Sequence, residues 1–252
     1  VQQQSLAGKS ILVTGGNTGI GLETSILFAR QGADIVLFGV GAELNATAQR
    51  QIEALGVRCL AITGDVTNEP DMAAAVAQAM AEFGALHYMF NNAGIAQATS
   101  RLENQTEAEF DRIMSVDVKG VWLGMKHGVP AIIRSGGGAV VNASSLAGLK
   151  GVPMQAIYCA AKHAVAGLTR AAALDHAKDG VRINAIAPGV VNTEMIRRFA
   201  ASNAGMWDSI LAMHPMGVVA EPEDVARAVL FLCRDATCTT GSVISIDCGS
   251  IA

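Results

Sequence analysis

Short runs of apolar residues recur at 10–14, 34–38, 57–62, 86–90, 138–143, 181–187 and 242–247, and between them apolar positions return at helical intervals. The runs read as buried strands and the intervals as amphipathic helices packed on them. Continuous runs such as Ile35-Val36-Leu37-Phe38 leave no polar face for water, which suits parallel strands covered on both sides. Strand and helix alternate throughout, predicting an α/β fold: a Rossmann-type doubly wound parallel sheet of about seven strands with helices on both faces. No linker, low-complexity tract or internal repeat breaks the alternation, so residues 1–252 read as one domain. The longest stretch outside it, 192–216, is rich in Met, Ala and Phe. It follows a strand's carboxyl end, where a substrate lid would sit.

Between the first strand and the first helix lies Thr14-Gly15-Gly16-Asn17-Thr18-Gly19-Ile20-Gly21. Glycine clusters also make ordinary turns, so this loop takes its meaning from context: Ile11-Leu12-Val13 enters it, and Ile20, Leu22, Ile26, Leu27 and Ala29 follow at helical spacing. Glycines 15, 19 and 21 would let the backbone turn tightly, approach a pyrophosphate and pack helix against strand. The first-turn N–H groups of the helix would then face the anion. The loop, with Asn17, Thr18 and Ile20, is a candidate dinucleotide site.

The candidate chemistry lies further on. Tyr158 and Lys162 are one helical turn apart on one face, and Ser145 precedes them at a strand end. A phenol is a poor base at neutral pH, but a neighbouring ammonium and a nicotinamide cation favour phenolate, so Tyr158 becomes a proton carrier. Ser145 would donate a hydrogen bond to the reacting oxygen. A Tyr and a Lys at this spacing also occur as surface partners, and Ser-Ser is common turn composition. Their place behind a glycine loop favours the catalytic reading.

The glycine spacing, one residue longer than G-x-G-x-x-G, and the Tyr158-x-x-x-Lys162 segment together resemble the short-chain dehydrogenase/reductase family in its classical form. The likeness continues through Asp65-Val66, Asn91-Asn92-Ala93-Gly94, Ser144-Ser145, Asn184-Ala185-Ile186-Ala187-Pro188-Gly189 with Thr193, and Thr240-Gly241 before Ile246-Asp247-Cys248-Gly249. It implies an NAD(P)-dependent oxidoreductase interconverting a secondary alcohol and a ketone, with Lys162 also gripping the nicotinamide ribose. It further implies Asp65 and Val66 at the adenine, and Asn91, Ala93 and Gly94 beneath the ribose. Ile186, Pro188, Gly189, Val191 and Thr193 would surround the nicotinamide. Asn91 has an alternative role as a strand-end hydrogen-bonder. The alternative function is a non-catalytic dinucleotide sensor of the same fold, against which the retention of Ser145, Tyr158 and Lys162 argues. Epimerase or dehydratase relatives resemble longer chains.

Two places depart from the family pattern. Where relatives carry an asparagine whose main-chain carbonyl holds a water linked to the lysine, this chain has Asp117. A carboxylate there is expected to steady the Lys162 ammonium and tune its field on Tyr158; a solvated or helix-bending aspartate is the alternative. At the end of the second strand stand Gly39 and Val40, neither an acid for the adenosine ribose nor a base for a 2′-phosphate. A phosphate dianion without cations is costly, so the expected cofactor is NAD in preference to NADP.

The expected substrate lining is Ile95, Ala96, Leu146, Val152, Met154 and Tyr158, with Met195, Phe199, Met206 and Trp207 from the lid segment. Apolar walls with one polar end favour a hydrophobic, cyclic or aryl alcohol or ketone. Arg197, Arg198 and His214 leave an anionic tail as the alternative.

Composition narrows the partners. Apolar residues make up 51% of the chain and charged ones 16%, which predicts surface buried between subunits. The segments 110–134 and 156–177, with small residues at Ala160, Ala164 and Ala171, are candidates for that contact. A homotetramer is the family habit and the expectation. A net charge of −4 without basic runs argues against nucleic acid and against a membrane-binding patch. No stretch of 18 apolar residues occurs, and Val1-Gln2-Gln3-Gln4 has no signal-peptide character, so a cytoplasmic protein is expected. The five cysteines lack zinc-ligand spacing and read as reduced thiols with no metal, Cys159 serving packing despite its neighbour Tyr158.

Overall fold

Residues 5–201 and 205–252 are described by the computed structural model, apart from the side chains of residues 195, 199–201 and 206. Among the described residues, seven strands form one sheet: β1 (Ser10–Thr14), β2 (Asp34–Gly39), β3 (Cys59–Thr63), β4 (Tyr88–Asn91), β5 (Gly138–Ala143), β6 (Val181–Pro188) and β7 (Val243–Ile246). Their order is β3-β2-β1-β4-β5-β6-β7 and every pairing is parallel. The helices between them are α1 (Gly19–Arg30), α2 (Ala42–Glu53), α3 (Glu69–Phe83), α4 (Glu107–Met114), α5 (Gly120–Arg134), α6 (Ala156–His176), α7 (Glu194–Ala201), α8 (Met206–Ala212) and α9 (Pro222–Leu230).

Alternation along each strand divides the core in two. Ile11, Val13, Ile35 and Leu37 pack on one face with Phe28 of α1, Ile52 of α2 and Val229 of α9. Leu12, Val36 and Phe38 pack on the other with Met72 of α3, Leu123 of α5 and Val165 of α6. Because both faces are covered, the strands contain no polar stripe, and this is the physical origin of the uninterrupted apolar runs.

The connection reverses between β1 and β4, leaving a crevice at their carboxyl ends, where ligands of doubly wound sheets bind. Helix capping differs between the frame and this crevice. Asn68 caps α3 by accepting the Asp71 N–H, with Pro70 in the first turn, and Glu221 and Asp224 form a capping box on α9. Thr18 before α1 and Gln155 before α6 make no side-chain cap. The two helices that border the crevice thus leave their first-turn N–H groups for other partners. Past β6, the segment predicted as a lid holds α7 and α8, its base closed by a bridge between Val191 and Ala220.

Candidate active site

The glycine loop turns at Gly15 (φ +60°) and Gly19 (φ +52°), the left-handed region that glycine enters without strain. A Cβ on Gly21 would overlap the Gly15 carbonyl oxygen, so α1 can approach the loop this closely only at a glycine. The β4 end stitches the loop down. Thr14 Oγ1 accepts the N–H groups of Asn92 and Ala93 at 2.9 and 3.0 Å, and Asn92 Nδ2 donates to the carbonyls of Thr14 and Gly15. The α1 N-terminus is uncapped and has no acidic residue in its first turn, so its donors fit the pyrophosphate of a dinucleotide. Thr193, at the base of the lid, places its methyl beside Gly19: a Cβ there would lie 3.6 Å from it.

Further round the crevice, Asp65 accepts the Thr67 N–H at 2.8 Å in the turn after β3, and Val66 is buried against Gly120. Gly39 is buried and Val40 is 75% exposed at the rim. Asn91 does not turn its side chain to the crevice. Its Nδ2 donates to Asn142 Oδ1 at 2.8 Å, and its Oδ1 lies against Gly124 of α5, the strand-end bonding held open as its alternative. Any part it takes in holding a cofactor falls to its main chain, with Ala93 and Gly94.

Lys162 is 4% exposed, one turn along α6 from Tyr158, with Nζ 5.5 Å from the centroid of the phenol ring. Its ammonium lies 2.7 Å from Asp117 Oδ1 and donates to the Ala143 carbonyl at 3.2 Å. Asp117 is 0% exposed and its Oδ2 accepts the Ile95 N–H at 3.2 Å. The alternative of a solvated aspartate is thereby overturned: the carboxylate itself meets the lysine. The chain from Ser115 to Lys119, between α4 and α5, is a π-helical turn whose widened backbone carries Asp117 inward. Gly94 allows the pair to form, since a Cβ at that position would sit 2.7 Å from Asp117 Oδ1 and 3.3 Å from Lys162 Nζ. Burial lowers the lysine's proton affinity, but Tyr158 and Asp117 together outweigh it and hold the ammonium above its ordinary value.

Ser145 ends β5 in extended conformation, and its Oγ accepts the Ala147 N–H at 3.2 Å, leaving the hydroxyl proton to donate elsewhere. Ser144 Oγ instead donates to the Lys162 carbonyl at 2.9 Å, fastening the strand end to α6 at Lys162. Gln97, absent from the residues singled out in the sequence, supplies the cap that α6 lacks. Its Oε1 accepts the Tyr158 N–H at 2.9 Å from 61 residues away. Thr14 and Asn92 also went unnoticed as stitching residues, although their motif was legible.

Among the expected substrate-lining residues, Leu146, Val152 and Trp207 are half-buried, and Ile95 packs against the cluster of Ile157 and Ala161. Met154 sits in the left-handed backbone region (φ +63°), a conformation costing a non-glycine residue ~1–3 kcal/mol. It is held there by the Ser100 N–H on its carbonyl at 3.0 Å. The side chains of Met195, Phe199 and Met206 lie outside the described part of the structure. Of the residues behind the anionic-tail alternative, Arg197 and Arg198 both bond Glu194 at the exposed surface, and His214 is buried with Nδ1 on the Ile210 carbonyl at 2.7 Å and Nε2 against Gly189. Cys159 Sγ accepts the Val152 N–H, a packing contact, and burial pushes the Cys233 thiol up to about 12, so it carries no thiolate chemistry.

Comparison with known proteins places the chain among dehydrogenases and reductases. Residues 15–250 match the family model described as enoyl-(acyl carrier protein) reductase. The chain is 38% identical to a cyclohexanol dehydrogenase of Acinetobacter sp. strain SE19, covering 98% of this chain and 96% of that one. It is 40% identical to a 2,5-dichloro-2,5-cyclohexadiene-1,4-diol dehydrogenase of Sphingobium indicum, covering 98% of each. The fold superimposes on the crystal structure of carveol dehydrogenase from Mycobacterium avium in complex with NAD with a TM-score of 0.92, at 28% identity over 98% of both chains. The chain belongs to the short-chain dehydrogenase/reductase family and is an oxidoreductase of alcohols and ketones.

Proposed function

We propose that this protein interconverts hydrophobic cyclic secondary alcohols and their ketones, using NAD in preference to NADP. The observation that carries the proposal is the buried Lys162 beneath the ring of Tyr158, beside a serine whose hydroxyl proton is unspent. Ser145 donates to the substrate oxygen and orients it, and Tyr158 takes the alcohol proton during oxidation or returns it during reduction. Lys162 holds positive charge below the phenol, where it would also hold the nicotinamide ribose, while Asp117 and the Ala143 carbonyl keep its ammonium in place. The bound nicotinamide supplies the hydride acceptor or donor. Leu146, Val152, Met154 and Trp207 would offer the ring an apolar wall, and the names of the cyclohexanol and cyclohexadienediol relatives support a cyclic substrate. The test is absorbance at the reduced-nicotinamide band with NAD and NADP offered separately alongside cyclic, aryl and linear secondary alcohols. Cyclic alcohols with NAD are expected to turn over fastest; a linear or charged substrate winning by tenfold would overturn the substrate class.

The working form is proposed to be a homotetramer in the cytoplasm. Phe110 of α4, Trp122 of α5 and Leu174 of α6 stand 45%, 43% and 80% exposed, apolar side chains that pairing with other copies would cover. Sedimentation at micromolar concentration is expected to give a species of four chains, and a monomer there would refute the assembly.

A further inference from the structure

The end of β2 lacks both residues by which dinucleotide folds usually choose between cofactors, yet the structure places another group there. Asn45, 2% exposed in α2, points its Nδ2 at three acceptors: the carbonyls of Gly39 and Ile62, at 2.9 and 3.3 Å, and Thr63 Oγ1 at 3.2 Å. The two carbonyls fix the orientation of the amide, because a flipped Asn45 would set its own oxygen against both of them. Its Oδ1 therefore faces the glycine loop, where it accepts Asn17 Nδ2 at 2.8 Å. Asn17 is oriented in turn: with Nδ2 toward Asn45, its Oδ1 is directed away, a neutral acceptor on a half-buried side chain at the rim of the crevice. Gly39 makes the room, since a Cβ there would already lie 3.1 Å from Asn17 Nδ2. The Asn17 amide thus lies beside the place that a side chain at 39 would take.

We propose that Asn17 Oδ1 accepts a hydrogen bond from the adenosine ribose hydroxyls of the dinucleotide, and that Asn17, oriented by Asn45, is the residue that selects a free ribose over a 2′-phosphorylated one. This rests on the preference for NAD proposed above. A ribose diol brings O–H donors to an acceptor, whereas a 2′-phosphate brings only acceptor oxygens and negative charge. Its oxygens meet repulsion from Asn17 Oδ1, and the remaining Asn17 N–H is a single neutral donor. The neighbouring segment adds no cation. Between positions 38 and 47 the one charged residue is Glu43, in the first turn of α2, and Val40 presents apolar surface.

Calorimetric titration with NAD and with NADP, on the parent protein, Asn17→Ala and Asn17→Lys, tests this without turnover. The parent is expected to bind NAD more tightly. Asn17→Ala should weaken NAD about 3- to 10-fold, the loss of one hydrogen bond, while NADP binds somewhat more tightly once the Oδ1 that repels its phosphate is gone. Asn17→Lys should shift the ratio further towards NADP by adding a cation at the same point, and it keeps the test alive should the alanine variant fold poorly. A parent that prefers NADP would remove the cofactor reading and this inference with it. A parent that prefers NAD, with a ratio unmoved by either substitution, would remove the inference alone.

Discussion

Tyr158→Phe is expected to lower kcat by about 10²- to 10⁴-fold, the range for losing a positioned proton carrier, while leaving NAD affinity within a factor of about two. The substitution keeps the ring that stands 5.5 Å from Lys162 Nζ and the main-chain N–H that Gln97 caps, so α6 and its lysine stay in place. Only the hydroxyl is removed. Ser145 could still orient the substrate oxygen, but its hydroxyl, an ordinary alcohol, is a far weaker acid than a phenol and a poor substitute as proton carrier. Stopped-flow rates at the reduced-nicotinamide band, beside calorimetric binding of NAD, separate chemistry from binding. Undiminished turnover would show that Tyr158 does not carry the proton, whereas a variant that bound no cofactor would point to a structural role.

The second large effect is on stability. Asp117→Ala leaves the Lys162 ammonium buried with no counter-charge, and breaking such a pair costs about 3–5 kcal/mol. Asp117→Asn keeps an oxygen for the Ile95 N–H and is expected to cost about 1–3 kcal/mol, measurable by denaturant unfolding. The pH dependence follows from the lysine. Its folded-state value is raised above the ordinary one, because Tyr158 and Asp117 outweigh burial. The stability it contributes is therefore fully present below the unfolded value of ~10.4 and is lost as pH rises through the higher folded value. Asp117→Asn removes part of what raises it, so the alkaline fall in Tm should begin at lower pH than in the parent. If Asp117→Asn changed neither the rate, nor its pH profile, nor the alkaline fall, the carboxylate would have no part in tuning the site.

Particular residues show how far the chain could be read without its fold. All seven strand runs were legible within two residues of the observed strands, because a strand buried on both faces writes its burial directly into sequence. The Tyr158 and Lys162 pairing was legible for a similar reason: residues four apart in a helix share a face whatever surrounds them. Asp117 was visible as a departure, but a carboxylate that meets the lysine could not be told from one in solvent. The difference depends on a π-helical turn and on the space left by Gly94. The Asn17 position was visible as well, though not the direction of its amide, which is set by two carbonyls around Asn45 in β2 and β3.

By itself, then, the sequence determined the alternation of strand and helix, the glycine turn before α1 and the spacing of Ser145, Tyr158 and Lys162. These follow from periodicity and local backbone geometry, which neighbouring residues dictate. The tertiary structure alone decided that Asp117 neutralises Lys162, that Gln97 caps the helix of Tyr158, that Asn91 is spent in the core and that Asn45 aims Asn17. Each of these joins groups on different elements, and a hydrogen bond or ion pair tolerates errors of only a few tenths of an ångström. Such precision comes from how the packed elements position one another and from which donors and acceptors burial leaves no water to satisfy.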